Sequence, residues 1–416
     1  MSQPFGIPFE FILFGMLLLG VALFHKRALE ISVGGFIAIL LFETFFSAYP
    51  TGSGTAALLA HARHEWVPIA NLFLLLTGFE LLSSQFERSN ISDHLPNHLP
   101  SGWGGGIGLL AIVFVMSAFL DNIAAAVLGG VMAKHLFQGR VTVGYLAAIV
   151  ASSNAGGAGS VIGDTTTTIM WLKGVSPITV LPAFVAAIPA FLVIAPLAAR
   201  AQHRFQPCLN HDEPGHPLEW RRIGIVAFIL ACAVTANVLA NALSHGEEKA
   251  PWLGLALWGA ILATSLVARP DWSVLRHGWR GAVFLASLVA AASLMPLKGL
   301  PDASWQTAFG LGALSSVFDN IPLTALALRQ GGYDWALLAF AVGFGGSMVW
   351  FGSSAGVALT NMYLEGRSVI RWIKEGWYVP IAYVVGFFVM LALLGWNPTE
   401  ERDSPWPRVA QEVAHP

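Results

Sequence analysis

The chain has 416 residues, 55% of them hydrophobic and 11% charged, with mean hydropathy +0.65. Soluble domains carry roughly 25% charged residues, so most of this chain belongs in a lipid bilayer. A formal net charge of −2 without long charge runs excludes a nucleic-acid-binding face and a charged disordered tail.

A helix needs about 20 apolar residues to cross the hydrocarbon core. The first candidate span, 9–24, carries Glu10 near its start rather than Lys or Arg, and no small-residue cleavage site follows. It reads as a retained helix rather than a signal peptide. Spans follow at 29–48 and 66–86, then an apolar segment at 104–137, then spans at 142–173 and 177–199. A polar stretch at 200–219 separates the halves. The second half has spans at 220–244, 251–268 and 279–297, a segment at 304–329, spans at 334–365 and 376–396, and a tail at 397–416.

Only 26 residues lie between Asp302 and Arg329. Two full crossings need about 40, so 304–329 reads as a hairpin that dips part-way and returns. The segment 104–137 carries the same Asp-Asn pair at its middle and is given the same shape. The expected fold is an all-α polytopic membrane protein, an inverted repeat of five transmembrane spans plus one re-entrant helical hairpin per half. Residues 1–199 form the first repeat, 200–219 a cytoplasmic linker, 220–396 the second repeat and 397–416 an external tail. Five crossings is an odd number, so the second repeat enters from the opposite face. Such repeats characterise transporters with midplane sites at interrupted helices.

Basic residues test this topology separately. One side collects Lys26, Arg27, Arg88, Lys134, Arg140, Arg200, Arg204, Arg221, Arg222, Arg269, Arg276, Arg280, Arg367, Arg371 and Lys374. The other has only Arg63, Lys173, Lys249, Lys298, Arg329, Arg402 and Arg408. The richer side is expected to be cytoplasmic, which puts both termini outside. The first hairpin then enters from the cytoplasm and the second from outside.

The chain repeats one phrase. Residues 117–123 read Ser-Ala-Phe-Leu-Asp-Asn-Ile, and 315–321 read Ser-Ser-Val-Phe-Asp-Asn-Ile. Each copy is followed by a Gly-Gly pair, 156–157 and 345–346, and then by a lone glycine, Gly163 or Gly352. Aspartate at membrane depth costs roughly 2.5–3.5 kcal/mol even on lenient scales, and marks a functional site by default. Asp121 and Asp319 sit at the expected hairpin tips. Asp164 sits where span 142–173 breaks in its glycine-rich run. Freed carbonyls there, with oxygens of Asn154, Ser160, Asp164 and Thr165, suit a small hard cation, and helix ends at the break add dipoles.

Simpler readings compete. Asp-Asn at a turn can be a helix cap, Gly-Gly within a span can be close helix packing, and the hydroxyls of Thr165 to Thr168 can bond back to backbone carbonyls. Glu43 and Glu80 lie nearer span ends and read as interfacial. The histidines fall mostly in loops, and Cys208 and Cys232 match no metal or redox spacing. The copies also differ, because Ser353 stands where the first has Asp164. Three intramembrane acids without a midplane Lys or Arg favour a cation as the moving charge.

Asp121-Asn122 with Asn154-Ala-Gly-Gly…Gly163-Asp164-Thr165, and Asp319-Asn320-Ile-Pro-Leu-Thr with Gly345-Gly346…Gly352-Ser353-Ser354, resemble NhaD-type bacterial sodium/proton antiporters. That family belongs to the ion transporter superfamily, with arsenite, citrate and dicarboxylate carriers. The resemblance implies a homodimer with a scaffold domain and a moving transport domain. It implies sodium sites at hairpin tips and helix breaks, here Asp121, Asn122, Asn154, Asp164, Asp319, Asn320, Ser353 and Ser354. Gly157, Thr165 and Gly346 complete the candidate ion-binding set, with sodium itself at Asp121, Asn122, Asp164, Asp319 and Asn320.

The expected function is exchange of sodium or lithium for protons across a bacterial inner membrane by alternating access, with no cofactor, enzymatic activity or nucleic-acid partner. The alternative is a sodium-coupled citrate, dicarboxylate or oxyanion carrier. A remote one is an intramembrane aspartyl protease, since Val161-Ile-Gly163-Asp164 approaches a Gly-x-Gly-Asp motif but lacks its first glycine.

Overall fold

The structure, a computed structural model, describes residues 8–24, 27–46, 48–49, 52–53, 55–90, 99–208, 217–244, 250–296 and 300–398. Residues 209–216 of the expected linker and 399–416 of the expected tail lie outside the described residues. The first half contains α1 (Phe9–Leu23), α2 (Ala28–Phe46), α3 (Thr55–Glu87), α4 (Trp103–Ser117), α5 (Asn122–Leu136), α6 (Val143–Gly157), α7 (Thr165–Leu172), α8 (Pro177–Val180) and α9 (Phe184–Phe205). The second contains α10 (Trp220–Ser244), α11 (Trp252–Ser265), α12 (Leu275–Ser293), α13 (Trp305–Ser315), α14 (Asn320–Gln330), α15 (Trp335–Gly345), α16 (Ser354–Met362), α17 (Val369–Glu375) and α18 (Tyr378–Leu394). Among the described residues, the one departure from helices and loops is a two-residue antiparallel pairing, Ala48–Tyr49 with Gly52–Ser53.

The helices at 28–45, 66–86 and 177–205 are each long and apolar enough to cross a bilayer, and α17 with α18 makes a further candidate bent by 61°. Shorter apolar helices of 10–17 residues, α4, α5 and α11 among them, account for much of the rest. Large apolar side chains such as Met16, Phe45, Ile178 and Leu192 face outward. Acyl chains accept such a surface, whereas water would drive it into association.

The helices pack in two groups. In one, α1 lies on α2, α2 on α12, α12 on α3, and α3 on α10 and α11. In the other, α4 packs on α5, α6 and α9, while α18 packs on α9 and α15. The groups meet where α12 touches α14 and α3 touches α7. At the first contact Arg329 donates to the carbonyls of Ala292, at 3.2 Å, and of Met295, which lie at the C-terminal end of α12. A cation placed there suits the helix dipole.

The two copies of the repeated phrase build the same local structure. Each first hairpin helix is stitched to the following broken helix by a serine: Ser117 Oγ donates to Ser153 O at 2.6 Å, and Ser315 Oγ to Val342 O at 2.7 Å. Both bonds are buried, so each satisfies groups that water cannot reach. The same approach explains one glycine in each copy. A Cβ on Gly156 would overlap the carbonyl oxygen of Phe114, and one on Gly345 that of Gly312. The copies also interlock, because α5 packs on α16 of the second and α14 on α7 of the first. Tyr363 Oη, just past α16, donates to Gly130 O of α5 at 2.9 Å.

Two features depart from the sequence expectation. Helix α9 runs on to Phe205, into the stretch read as linker. Gln202 is the reason: buried, it accepts from Thr142 N at 2.8 Å and donates to Arg140 O at 2.8 Å. Arg200 lies over the Trp103 ring at 4.7 Å, a contact that also holds the last turns in place. Glu43, read as interfacial, is buried at 3% exposure within the bundle.

The loop before α12 is anchored by charge. Asp271 accepts from Ser273 Oγ at 2.6 Å and Ser273 N at 3.0 Å, and pairs with Arg88 beyond the end of α3. The two serine donors, then the guanidinium, hold its carboxyl below the ordinary carboxylate range.

Two predictions follow from this packing. Gly345→Ala forces a methyl into a backbone carbonyl and is expected to lower stability by about 1–3 kcal/mol or more, whereas Gly310→Ala, with open space around it, leaves stability unchanged or slightly raised. Thermal unfolding of the solubilised protein compares them. For Asp271 the folded pKa is depressed, so its stabilisation is present above the unfolded value near pH 4 and lost as pH falls through the folded value. Asp271→Asn therefore lowers the melting temperature at neutral pH, and the gap to wild type closes in strong acid.

Candidate functional site

Four helices begin at the middle of the second group. Asp121 occupies the N-cap position of α5 (φ −55°, ψ 140°) and Asp319 that of α14 (φ −53°, ψ 144°). Asp164 caps α7 (φ −142°, ψ 138°) and Ser353 caps α16 (φ −138°, ψ 150°). The near-identical angles show that the copies share their backbone path here. Helix N-termini carry partial positive charge, which favours carboxylates. This is the local reason why three aspartates can be accommodated so deep in an apolar chain.

The copies are joined around one carboxylate. Asp164 is fully buried. Its Oδ1 accepts from Thr166 N at 3.1 Å, Asn320 Nδ2 at 3.2 Å, Asn122 Nδ2 at 3.4 Å and Thr165 Oγ1 at 3.4 Å. Asn122 comes from the first hairpin and Asn320 from the second, so Asp164 lies between the two. Asn122 also donates to Asn154 Oδ1 at 3.0 Å, and Asn154 donates to Ser347 Oγ at 2.9 Å beside the second break. Asn320 donates to Thr166 Oγ1 at 2.8 Å. Trp372 of α17 fixes the second break by donating Nε1–H to Ser347 O at 3.1 Å.

Asp164 Oδ2 is different. It is buried and has no hydrogen-bond partner among the described residues. A bare carboxylate oxygen away from water costs several kcal/mol if the group stays charged and uncompensated. Such an atom calls for a proton or a cation. The same carboxylate interacts electrostatically with Asp121 and Asp319, and Asp121 also senses Glu80 of α3.

The other expected residues have distinct placements. Asp319 accepts from Ile321 N at 3.1 Å and from Ser354 Oγ at 3.2 Å, a separate pairing within the second copy. Ser353 caps its own helix through Gly356 N at 3.3 Å and lies outside the Asp164 network. Gly157 and Gly346 close their own breaks, where a Cβ would crowd the carbonyls of Gly163 and Gly352 respectively. Ser160 donates to Ala118 O at 2.7 Å and ties the first break to the first hairpin turn.

Thr167 and Thr168 bond back to carbonyls. Both hydroxyls reach Asp164 O, and they also reach Ser160 O at 2.5 Å and Val161 O at 2.9 Å. That is the simpler reading of the threonine run, and it holds for these two. Thr166 and Ser347 are the network members that the sequence reading missed. The polarity of Thr166 was visible in the run, whereas Ser347 had no signal beyond its place after the second Gly-Gly pair.

Comparison with known proteins gives the family of the chain. Residues 4–345 match the family described as citrate transporter. The chain is 25% identical over 389 residues to sodium/proton antiporter 1 of Arabidopsis thaliana, covering 84% of this chain and 66% of that protein. It is 25% identical over 380 residues to Na(+)/H(+) antiporter NhaD of Vibrio parahaemolyticus, covering 78% and 89%. It is 23% identical over 445 aligned positions to the NhaD antiporter of Alkalimonas amylolytica, covering 93% and 89%. The family match spans well over half of the sequence: the chain is a membrane transporter that belongs to the citrate transporter family.

Proposed function

We propose that this protein exchanges sodium or lithium for protons by alternating access. The observation that carries the reading is the Asp164 carboxylate, with one oxygen satisfied by both hairpins and the other bare. Uncompensated charge there is expensive, so a proton and a cation compete for the same group. Each cycle then binds the cation as the proton leaves on one face and reverses this on the other. The names of the curated relatives support the same exchange.

In this reading residues 1–199 and 220–396 are inverted repeats, each with a re-entrant hairpin, joined by a cytoplasmic linker. Arginine and lysine bias supports both termini outside, in the inner membrane of a bacterial cell. Asn122 and Asn320 orient Asp164, while Asp121 and Asp319 add charge at the two hairpin tips, and sodium is held among these five residues. The helices α1–α3 and α10–α12 suit a scaffold, through which the protein pairs as a homodimer. The remaining helices form the moving part, and no cofactor takes part.

In everted vesicles carrying a pH-sensitive dye, sodium or lithium is expected to dequench the wild-type signal at neutral to alkaline pH. Asp164→Asn should abolish the response. Asn122→Ala and Asn320→Ala should each raise the half-saturating sodium concentration roughly tenfold or more, the scale of one lost hydrogen bond to a charged group. A wild type that ignores both ions yet takes up labelled citrate in a sodium-dependent manner would move the function to a coupled carboxylate carrier.

A further inference from the structure

Helix α17 touches both copies of the repeat. Against the first copy, Glu375 Oε2 accepts from Gly144 N at 3.4 Å, and Tyr378 Oη, just past α17, donates to Gly144 O at 2.5 Å. A carboxylate at the first turn of α6 suits the positive end of that helix. The approach is close, since a Cβ on Gly144 would overlap the carbonyl oxygen of Glu375. Against the second copy, the buried Trp372 donates to Ser347 O at 3.1 Å. One short helix therefore fixes the second break against α6, which carries Asn154 near its far end.

At that far end the two breaks meet. Asn154 Nδ2 donates to Ser347 Oγ at 2.9 Å, which leaves Asn154 Oδ1 facing Asn122. An amide has its donor and its acceptor on opposite arms, so anchoring one arm sets the direction of the other. Asn122 Nδ2 donates to Asn154 Oδ1 at 3.0 Å and to Asp164 Oδ1 at 3.4 Å. A continuous series of hydrogen bonds thus leads from Trp372 through Ser347, Asn154 and Asn122 to Asp164. Every one of these side chains is buried, so water does not replace a lost partner.

We propose that Ser347, held from behind by Trp372, is a positioning residue of the site: it keeps Asn154 and Asn122 turned so that an N–H faces Asp164. The proposal rests on the antiporter reading and adds two residues that touch neither Asp164 nor the ion. The contact from Asn122 to Asp164 is the longest of the series, and it is the first that a small shift would break. A donor to a carboxylate favours its charged form over its protonated form. Losing that donor strengthens the proton as a competitor, and more sodium is then needed.

The test uses everted vesicles and reads half-saturating sodium and maximal dequenching separately. Ser347→Ala removes the hydroxyl but keeps the carbonyl that Trp372 reaches. Trp372→Phe removes the N–H and keeps an apolar ring, and Trp377→Phe, at an exposed indole, is the control. None of these changes touches Asp121, Asp319 or Glu80, the charged neighbours within the site. Ser347→Ala and Trp372→Phe should each raise half-saturating sodium about threefold to tenfold, the scale of one hydrogen bond. Maximal dequenching should stay as in wild type, and Trp377→Phe should match wild type in both readings. In an Asn154→Ala background, Ser347→Ala should add no further rise, because the series is already cut.

A wild-type sodium requirement in Ser347→Ala or in Trp372→Phe would overturn the proposal. So would loss of maximal dequenching alone, which is what a packing defect produces, or an equal rise in the Asn154→Ala background. If one variant fails to fold, the other decides by the same criterion. A wild type that answers neither sodium nor lithium would overturn the antiporter reading, and this inference with it.

Discussion

The structure depends on a single buried carboxylate that is only half satisfied. Asp164 sends one oxygen into a shell of donors and leaves the other facing a glycine. In an apolar interior neither a bare charge nor an unmet acceptor is stable for long. Much of the surrounding architecture can be understood as what it takes to hold such a group. Four helix N-termini supply partial positive charge, the threonines after Asp164 tie the break to its own helix, and two asparagines approach from separate hairpins.

That last feature links local sequence to global fold. Asn122 and Asn320 are 198 positions apart, yet both donate to the same oxygen. They can do so only because the copies interlock, with α14 on α7 and α5 on α16. Any motion of one hairpin relative to the break alters the hydrogen bonds at Asp164. In the proposed exchange, coupling of ion binding to conformation needs no long relay, since both hairpins touch the charged group directly. The repeat lets both copies reach one carboxylate, and the copies differ there, because the second carries Gly343 and Ser353 where the first has Asn154 and Asp164.

Much of this was legible in the chain. Composition fixed the membrane class, and the doubled Asp-Asn phrase marked the two helix turns at Asp121 and Asp319. The small-residue run from Ser152 to Ser160 marked the first break only roughly, since Ser152 to Gly157 stay helical and the break falls at 158–164. The contacts across copies were not legible, since no local pattern says that Asn320 reaches Asp164 rather than Ser353. The sequence reading placed Asp319 and Asn320 together in the sodium set; in the structure the Asp319 carboxylate pairs with Ser354 and Asn320 makes the crossing contact to Asp164. The extension of α9 to Phe205 was missed because Gln202 and Arg200 look like loop residues until their partners on the α5–α6 turn and α4 are known.

The central claim is that proton and cation compete at Asp164. Calorimetric titration of sodium into the purified protein, in buffers of different ionisation enthalpy, tests it most directly. The account predicts that sodium binding to the wild type releases protons, so the observed heat varies with the buffer, and that this dependence disappears in Asp164→Asn. Sodium binding whose heat is independent of buffer in the wild type, or equally dependent in both proteins, would contradict it.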